Sequence, residues 1–210
     1  MKTPLLISAC GLSRSGKNTF CDLLARELKQ RFNLTTTQLS FAQQLRTDLE
    51  NFVKFCGYDV WSETNKEDFR SLMLWYGDLR RKQTNGTYFW GRVKRQIKTL
   101  NTDTDIDIVT ISDLRYKFYE YDEIDFCQSQ GVVVHISKYN MVMGLGSEES
   151  NNLIKKFDDP PNELEAKNDP ILKAASDYQI VWKNQNGKIE NLQSDVSKFV
   201  DWLVEKKYIQ

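Results

Sequence analysis

The residues best placed to do chemistry are Gly11, Gly16 and Lys17, which frame the run Gly11-Leu12-Ser13-Arg14-Ser15-Gly16-Lys17. This is the pattern G-x-x-x-x-G-K. Glycines at its two ends let the backbone wrap closely around a phosphate chain with successive N–H groups turned inward. A helix starting directly behind the loop adds the positive end of its dipole, and the lysine reaches the terminal phosphates. The next position usually supplies a Ser or Thr hydroxyl to Mg2+, but here it is Asn18, followed by Thr19. That ligand is missing or shifted, so Mg2+ is expected through phosphates and waters, with Asp113 as the protein carboxylate on offer. Gly11, Arg14, Ser15, Gly16, Lys17, Asn18 and Thr19 are the expected ATP-binding set. A chance glycine-rich turn ahead of a helix would share the string, so the flanking elements decide.

Those elements support the loop. Residues 4–10 are a short apolar run and read as a buried parallel strand. Residues 18–32 carry Phe20, Leu23, Leu24 and Leu28 at helical spacing. Further strands are expected at 35–41, 105–112, 132–137 and 178–182. Helices are expected at 43–55, 67–81, 88–100, 117–130 and 194–206, with a turn at Asn186-Gly187. Strands alternating with helices imply an α/β fold with a parallel five-stranded sheet flanked by helices. All 210 residues fit one domain. Within it, 42–100 form a helical acceptor-binding insertion. Residues 138–169, rich in charge, glycine and proline, form a mobile, lid-like segment with one or two helical turns. That segment has Lys138, Lys155 and Lys156 but no arginine.

Composition removes several classes of function. The formal net charge is zero, which argues against a protein held on nucleic acid by bulk charge. The single histidine, His135, excludes multi-histidine metal sites and leaves almost no room for Ser-His-Asp chemistry; it reads as a core or strand-end residue. Cys10, Cys21, Cys56 and Cys127 form no C-x-x-C pair and read as reduced thiols. No apolar run approaches the roughly 20 residues that span a bilayer, so the expected location is the cytoplasm, the host's if the protein is viral. The expected partners are small nucleotide substrates, with no nucleic acid and no membrane; a homodimer stays open.

A kinase for a small phosphorylated acceptor needs a second anionic pocket, and the guanidinium fork suits phosphate oxygens best. The candidates are Arg46, Arg70, Arg80, Arg81 and Arg115. Arg115 follows Asp113 just past a strand's carboxyl end, where α/β folds place ligands. A GTPase is the rival from another class, since Asn65-Lys66-Glu67-Asp68 spells N-K-x-D. The string follows no buried strand, however, and Asp113 lacks the glycine of a D-x-x-G switch, so a polar helix start is the better reading.

Taken together, these segments resemble the phage-type deoxynucleoside monophosphate kinases, within the P-loop nucleoside monophosphate kinase-like group. Gly11 to Thr19 is similar to that family's G-x-x-x-S-G-K-D-T loop, with Asn18 for Asp; the family also lacks the hydroxyl. Phe41-Ala42 with Leu45-Arg46 resembles its F-A-x-x-[LI]-K segment. Arg70-Ser-Leu-Met73, Gly77, Arg80 or Arg81, then Phe89-Trp90 resemble its R-x-L-M/L…G…R…W stretch. Ser112-Asp113-Leu114-Arg115-Tyr116 resembles its D-x-R motif, with Glu120 near the usual downstream acid. Ser176-Asp177-Tyr178 is similar to its last strand, which Trp182-Lys183-Asn184 ends differently. The resemblance implies transfer from ATP to a (deoxy)nucleoside monophosphate, with Mg2+. Lys17, Arg115, Asp113 and Arg81 would be catalytic. Phe41, Arg46, Arg70, Arg80 and Trp90 would hold the acceptor, the aromatics walling its base. A related kinase for dephospho-coenzyme A or phosphomevalonate, and a non-catalytic nucleotide-dependent binding protein, are the alternatives.

Overall fold

The computed structural model describes residues 3–58, 68–103, 105–143, 153–184 and 189–210. Asn186-Gly187 and the first three residues of the Asn65–Asp68 string lie outside them.

The central strand is β1 (Leu5–Cys10), buried along almost its whole length as its continuous apolar sequence requires. It pairs in parallel with β3 (Ile108–Ile111) on one side and β4 (Gly131–Met143) on the other. β2 (Thr36–Leu39) adds to β3, and β6 (Tyr178–Lys183) adds to β4, both in parallel. The resulting order β2-β3-β1-β4-β6 is the expected five-stranded parallel sheet. A sixth strand, β5 (Leu153–Phe157), runs antiparallel to the far half of β4. Tyr139 pairs with Phe157 on one edge and Lys183 on the other. β5 therefore lies on the β1 side of β4, beyond the end of β1.

Helices cover both faces, as parallel strands demand. On one face, α1 (Lys17–Phe32) and α7 (Glu190–Glu205) pack Phe20, Leu24 and Leu28 with Val196, Phe199 and Val200 over Ile7, Ala9, Val134 and Ile136. On the other, Phe89 and Val93 of α4 (Thr87–Asp103), Ile124 and Cys127 of α5 (Glu123–Gln130) and Leu172 of α6 (Glu163–Ala175) pack over Leu6, Cys10 and Val133. α2 (Phe41–Phe55) and α3 (Arg70–Gln83) pack against α4 and each other.

Two expectations need correction. Residues 138–143 and 153–157 form strands rather than a loose segment, β4 running on to Met143 and pairing with β5, while the expected helical turns are the start of α6 at Glu163. Asn162 caps α6 by accepting from Glu165 N–H, 2.9 Å. The helix expected from 117 starts only at Glu123. Asp122 accepts the N–H groups of Phe118, Tyr119 and Glu123 and forms a capping box with Asp125, so the preceding residues turn instead of coiling.

Candidate active site

Residues 11–16 leave the carboxyl end of β1 and feed directly into α1. Gly11 (φ 125°) and Gly16 (φ 100°) take conformations that side-chain-bearing residues avoid. A Cβ on Gly11 would stand 2.3 Å from the carbonyl oxygen of Ile136, and one on Gly16 would stand 3.0 Å from the Trp182 ring. Trp182 Nε1 donates to Ser15 O at 2.8 Å. The end of β6 thus forms a rigid floor under the loop. The sequence marked Trp182 only as a departure in the last strand; its place at a strand's carboxyl end was the available signal.

α1 begins without a side-chain cap and without an acid in its first turn. Its leading amides keep their donor capacity and the positive dipole end stays uncompensated. Lys17 is buried, and its ammonium donates to Gly11 O (2.9 Å) and Leu12 O (2.6 Å). Burial first, then the neighbouring Arg115 cation, pull its pKa down to about 8. Arg14 and Asn18 are exposed, Ser15 is buried and Thr19 half-buried. Lys138 Nζ donates to Arg14 O (3.0 Å) and pairs with Asp158 (2.8 Å), tying the strand arm to the loop.

Glu165, in the first turn of α6, joins the loop to Arg115. One carboxylate oxygen accepts from Ser13 N–H at 2.6 Å and the other from Arg115 at 3.2 Å. One loop amide, that of Ser13, thus already faces an anion of the chain's own.

Asp113 has a different setting. Its oxygens accept from Ser40 Oγ (2.7 Å), Phe41 N–H (3.1 Å) and Ala42 N–H (2.7 Å), so it caps α2 together with Ser40. Among the described residues no group of three or more His, Cys, Asp or Glu side chains could hold a metal ion. With no hydroxyl at position 18 and both Asp113 oxygens engaged, the donor set does not fit a protein-ligated Mg2+.

The other arginines are dispersed over the helical insertion. Arg81 is buried against Glu123, with its guanidinium over the rings of Tyr116 (3.6 Å) and Phe89 (4.6 Å). Complete burial lifts the Glu123 carboxyl to about 7 although Arg81 pulls the other way. Arg80 lies over Tyr88 (4.0 Å) and Tyr76, whose hydroxyls, with Arg92, converge on Asp48. Arg46 and Arg70 are half-buried near the starts of α2 and α3. Phe41 is a core residue, and Trp90 stacks on Phe126 while donating to Tyr121 O at 2.8 Å. The structure brings Lys17 and Arg115 together at the loop. It gives Arg81, Arg80 and Trp90 partners of their own.

His135 is buried on β4, its Nε2 3.0 Å from Asp169 and its Nδ1 3.3 Å from Ser137. These three line a cavity of about 230 Å³ with Leu12, Ser15 and Lys138. The partnership with Asp169, which lies 34 positions on, left no mark in the sequence.

No family model and no curated protein matches the chain. Among solved structures it is similar to shikimate kinase from Bacteroides thetaiotaomicron, at 12% identity over 95% of this chain and 98% of that one, with a TM-score of 0.41.

Proposed function

We propose that this protein transfers the terminal phosphoryl group of ATP to a small phosphorylated acceptor, a nucleoside or deoxynucleoside monophosphate. One observation carries the reading. A glycine-hinged loop leads from a buried parallel strand into an uncapped helix, with Lys17 and Arg115 converging on it.

The chain's own residues have separable roles in this reaction. The loop amides and α1's first turn bind the β- and γ-phosphates, and Lys17 leaves its carbonyl partners for phosphate oxygens. Arg115, at the carboxyl end of β3, spans the gap to the acceptor phosphate with its planar fork. Asp113 holds the start of α2, and with it Phe41 and Arg46, against the end of β3. The β4–β5 arm, tied to the loop by Lys138, keeps water from the phosphoryl in transit. Mg2+ would enter with the nucleotide and neutralise phosphate charge, since Asn18 and the engaged Asp113 offer it no side-chain ligand.

The test is ADP formation from ATP with a panel of acceptors: the four deoxynucleoside monophosphates, their ribose counterparts, dephospho-coenzyme A and phosphomevalonate. The reading expects acceptor-dependent ADP release with at least one monophosphate. Release with only one of the last two would move the acceptor class. Slow hydrolysis indifferent to every acceptor would leave a nucleotide-binding protein without transfer.

A further inference from the structure

The contact made by Glu165 has the geometry of a substrate contact. Its side chain is 11% exposed, and its carboxylate touches a loop amide with one oxygen and the Arg115 guanidinium with the other. Carboxylate and phosphate oxygens call on the same donors, and a charged acceptor between an amide and a guanidinium is bound strongly. The placement is fixed rather than incidental. Glu165 N–H and Ala166 N–H are both held by Asn162, and Asn168, one turn on, accepts from Lys117 N–H. Lys17 is turned away onto the carbonyls of Gly11 and Leu12.

A phosphoryl group passing from a nucleotide in the loop to an acceptor on Arg115 must cross between that amide and that guanidinium. Glu165 stands there. A terminal phosphate and an ionised carboxylate cannot share the same donors, because like charges at contact repel strongly in a partly buried site.

We infer that Glu165 is a gate: its carboxylate holds the place of the transferring phosphoryl group in the resting protein, and the γ-phosphate of ATP must displace it, which releases Arg115 to the acceptor. This rests on the proposed phosphotransfer reading. Donor and acceptor sites are then coupled through one side chain. Triphosphate binding is weakened by the gate, while a diphosphate, which ends short of it, is not. The coupling also withholds Arg115 until a triphosphate is in place, so an acceptor phosphate meets its clamp only when the donor is loaded.

The test is a calorimetric titration of wild type and Glu165→Gln with ADP and with adenylyl imidodiphosphate, a non-hydrolysable ATP analogue. Replacing a charged acceptor by a neutral one of the same shape should tighten the triphosphate analogue by about tenfold and ADP by less than about twofold. An analogue affinity that is unchanged or weaker in Glu165→Gln overturns the gate, and so does equal tightening of both ligands. Absence of binding by either ligand to either protein would refute the phosphotransfer reading first, and the gate with it. Hydrogen exchange on the wild-type protein gives a readout that needs no variant. The analogue, and not ADP, should raise exchange at the amides of Glu165 and Ala166 as α6's first turn is pushed out. Protection or no change there counts against the gate.

Discussion

Asp113→Asn separates a helix cap from a metal or catalytic carboxylate. The native carboxylate takes three donors at the start of α2, two of them at 2.7 Å. The amide keeps one accepting oxygen and turns its NH2 group toward a donor. At least one charge-assisted hydrogen bond is lost, worth about 1.5–3 kcal/mol. A further 0.3–1 kcal/mol or so goes with the negative charge at the helix N-terminus. The expected destabilisation is about 2–4 kcal/mol, or a fall in Tm of roughly 4–16 °C for a chain of this length. Calorimetric melting of both proteins reads the stability. Initial rates, measured well below the melting range, read the acceptor KM, which should rise because α2 carries Phe41 and Arg46. An unchanged Tm with turnover abolished would refute the cap and put Asp113 back among the groups that touch substrate or metal.

Lys17→Ala should reduce phosphoryl transfer to background while the far-ultraviolet circular dichroism stays native; near-normal turnover would remove the loop from the reaction. The Lys17 pKa of about 8, below the ordinary 10.5, sets two pH effects of definite sign. Phosphate binding requires the ammonium, so above the titration of the terminal phosphate at about pH 6, nucleotide affinity should hold level to about pH 8 and fall beyond it by up to about tenfold per unit. Without nucleotide, the unfolded chain holds the extra proton between the two values. Wild-type stability relative to Lys17→Ala should therefore rise with pH in that window, by at most about 1.4 kcal/mol per unit. Gly11→Ala combines a φ of 125° with a Cβ 2.3 Å from Ile136 O and should cost at least about 2 kcal/mol in a urea melt; a loss under half of that would mean the loop relaxes freely.

What the sequence disclosed was the part governed by local rules. β1, the glycine loop and α1 are contiguous, so periodicity and glycine chemistry sufficed. The buried strand expected at 132–137 and the last strand expected at 178–182 are the first half of β4 and most of β6. α2 begins at Phe41, two residues ahead of the expected start, because Asp113, 72 positions away, accepts from its first N–H groups. The full extent of α6 was hidden by its prolines: Pro160 and Pro161 precede it and Pro170 lies inside it. A proline there forfeits a helix hydrogen bond, and packing compensates, with Leu172 in the core and Asn168 bonded to Lys117. The β4–β5 arm depends on an antiparallel register set by its partner, which no local pattern in 138–157 announces. The candidate site divides the same way. Lys17 and the loop were readable; Glu165, 152 positions from Ser13, and Trp182, 167 from Ser15, reach the site only through the fold. Side-chain type made Arg81 a candidate phosphate ligand, but could not disclose that Glu123 lies against it in the core.

The most direct measurement is a crystal structure with ADP. The account predicts the diphosphate inside the turn formed by residues 11–16, ringed by the amides that lead into α1, with Lys17 Nζ moved from Gly11 O and Leu12 O onto a phosphate oxygen. ADP bound elsewhere, with Lys17 still hydrogen-bonded to those two carbonyls, would contradict it.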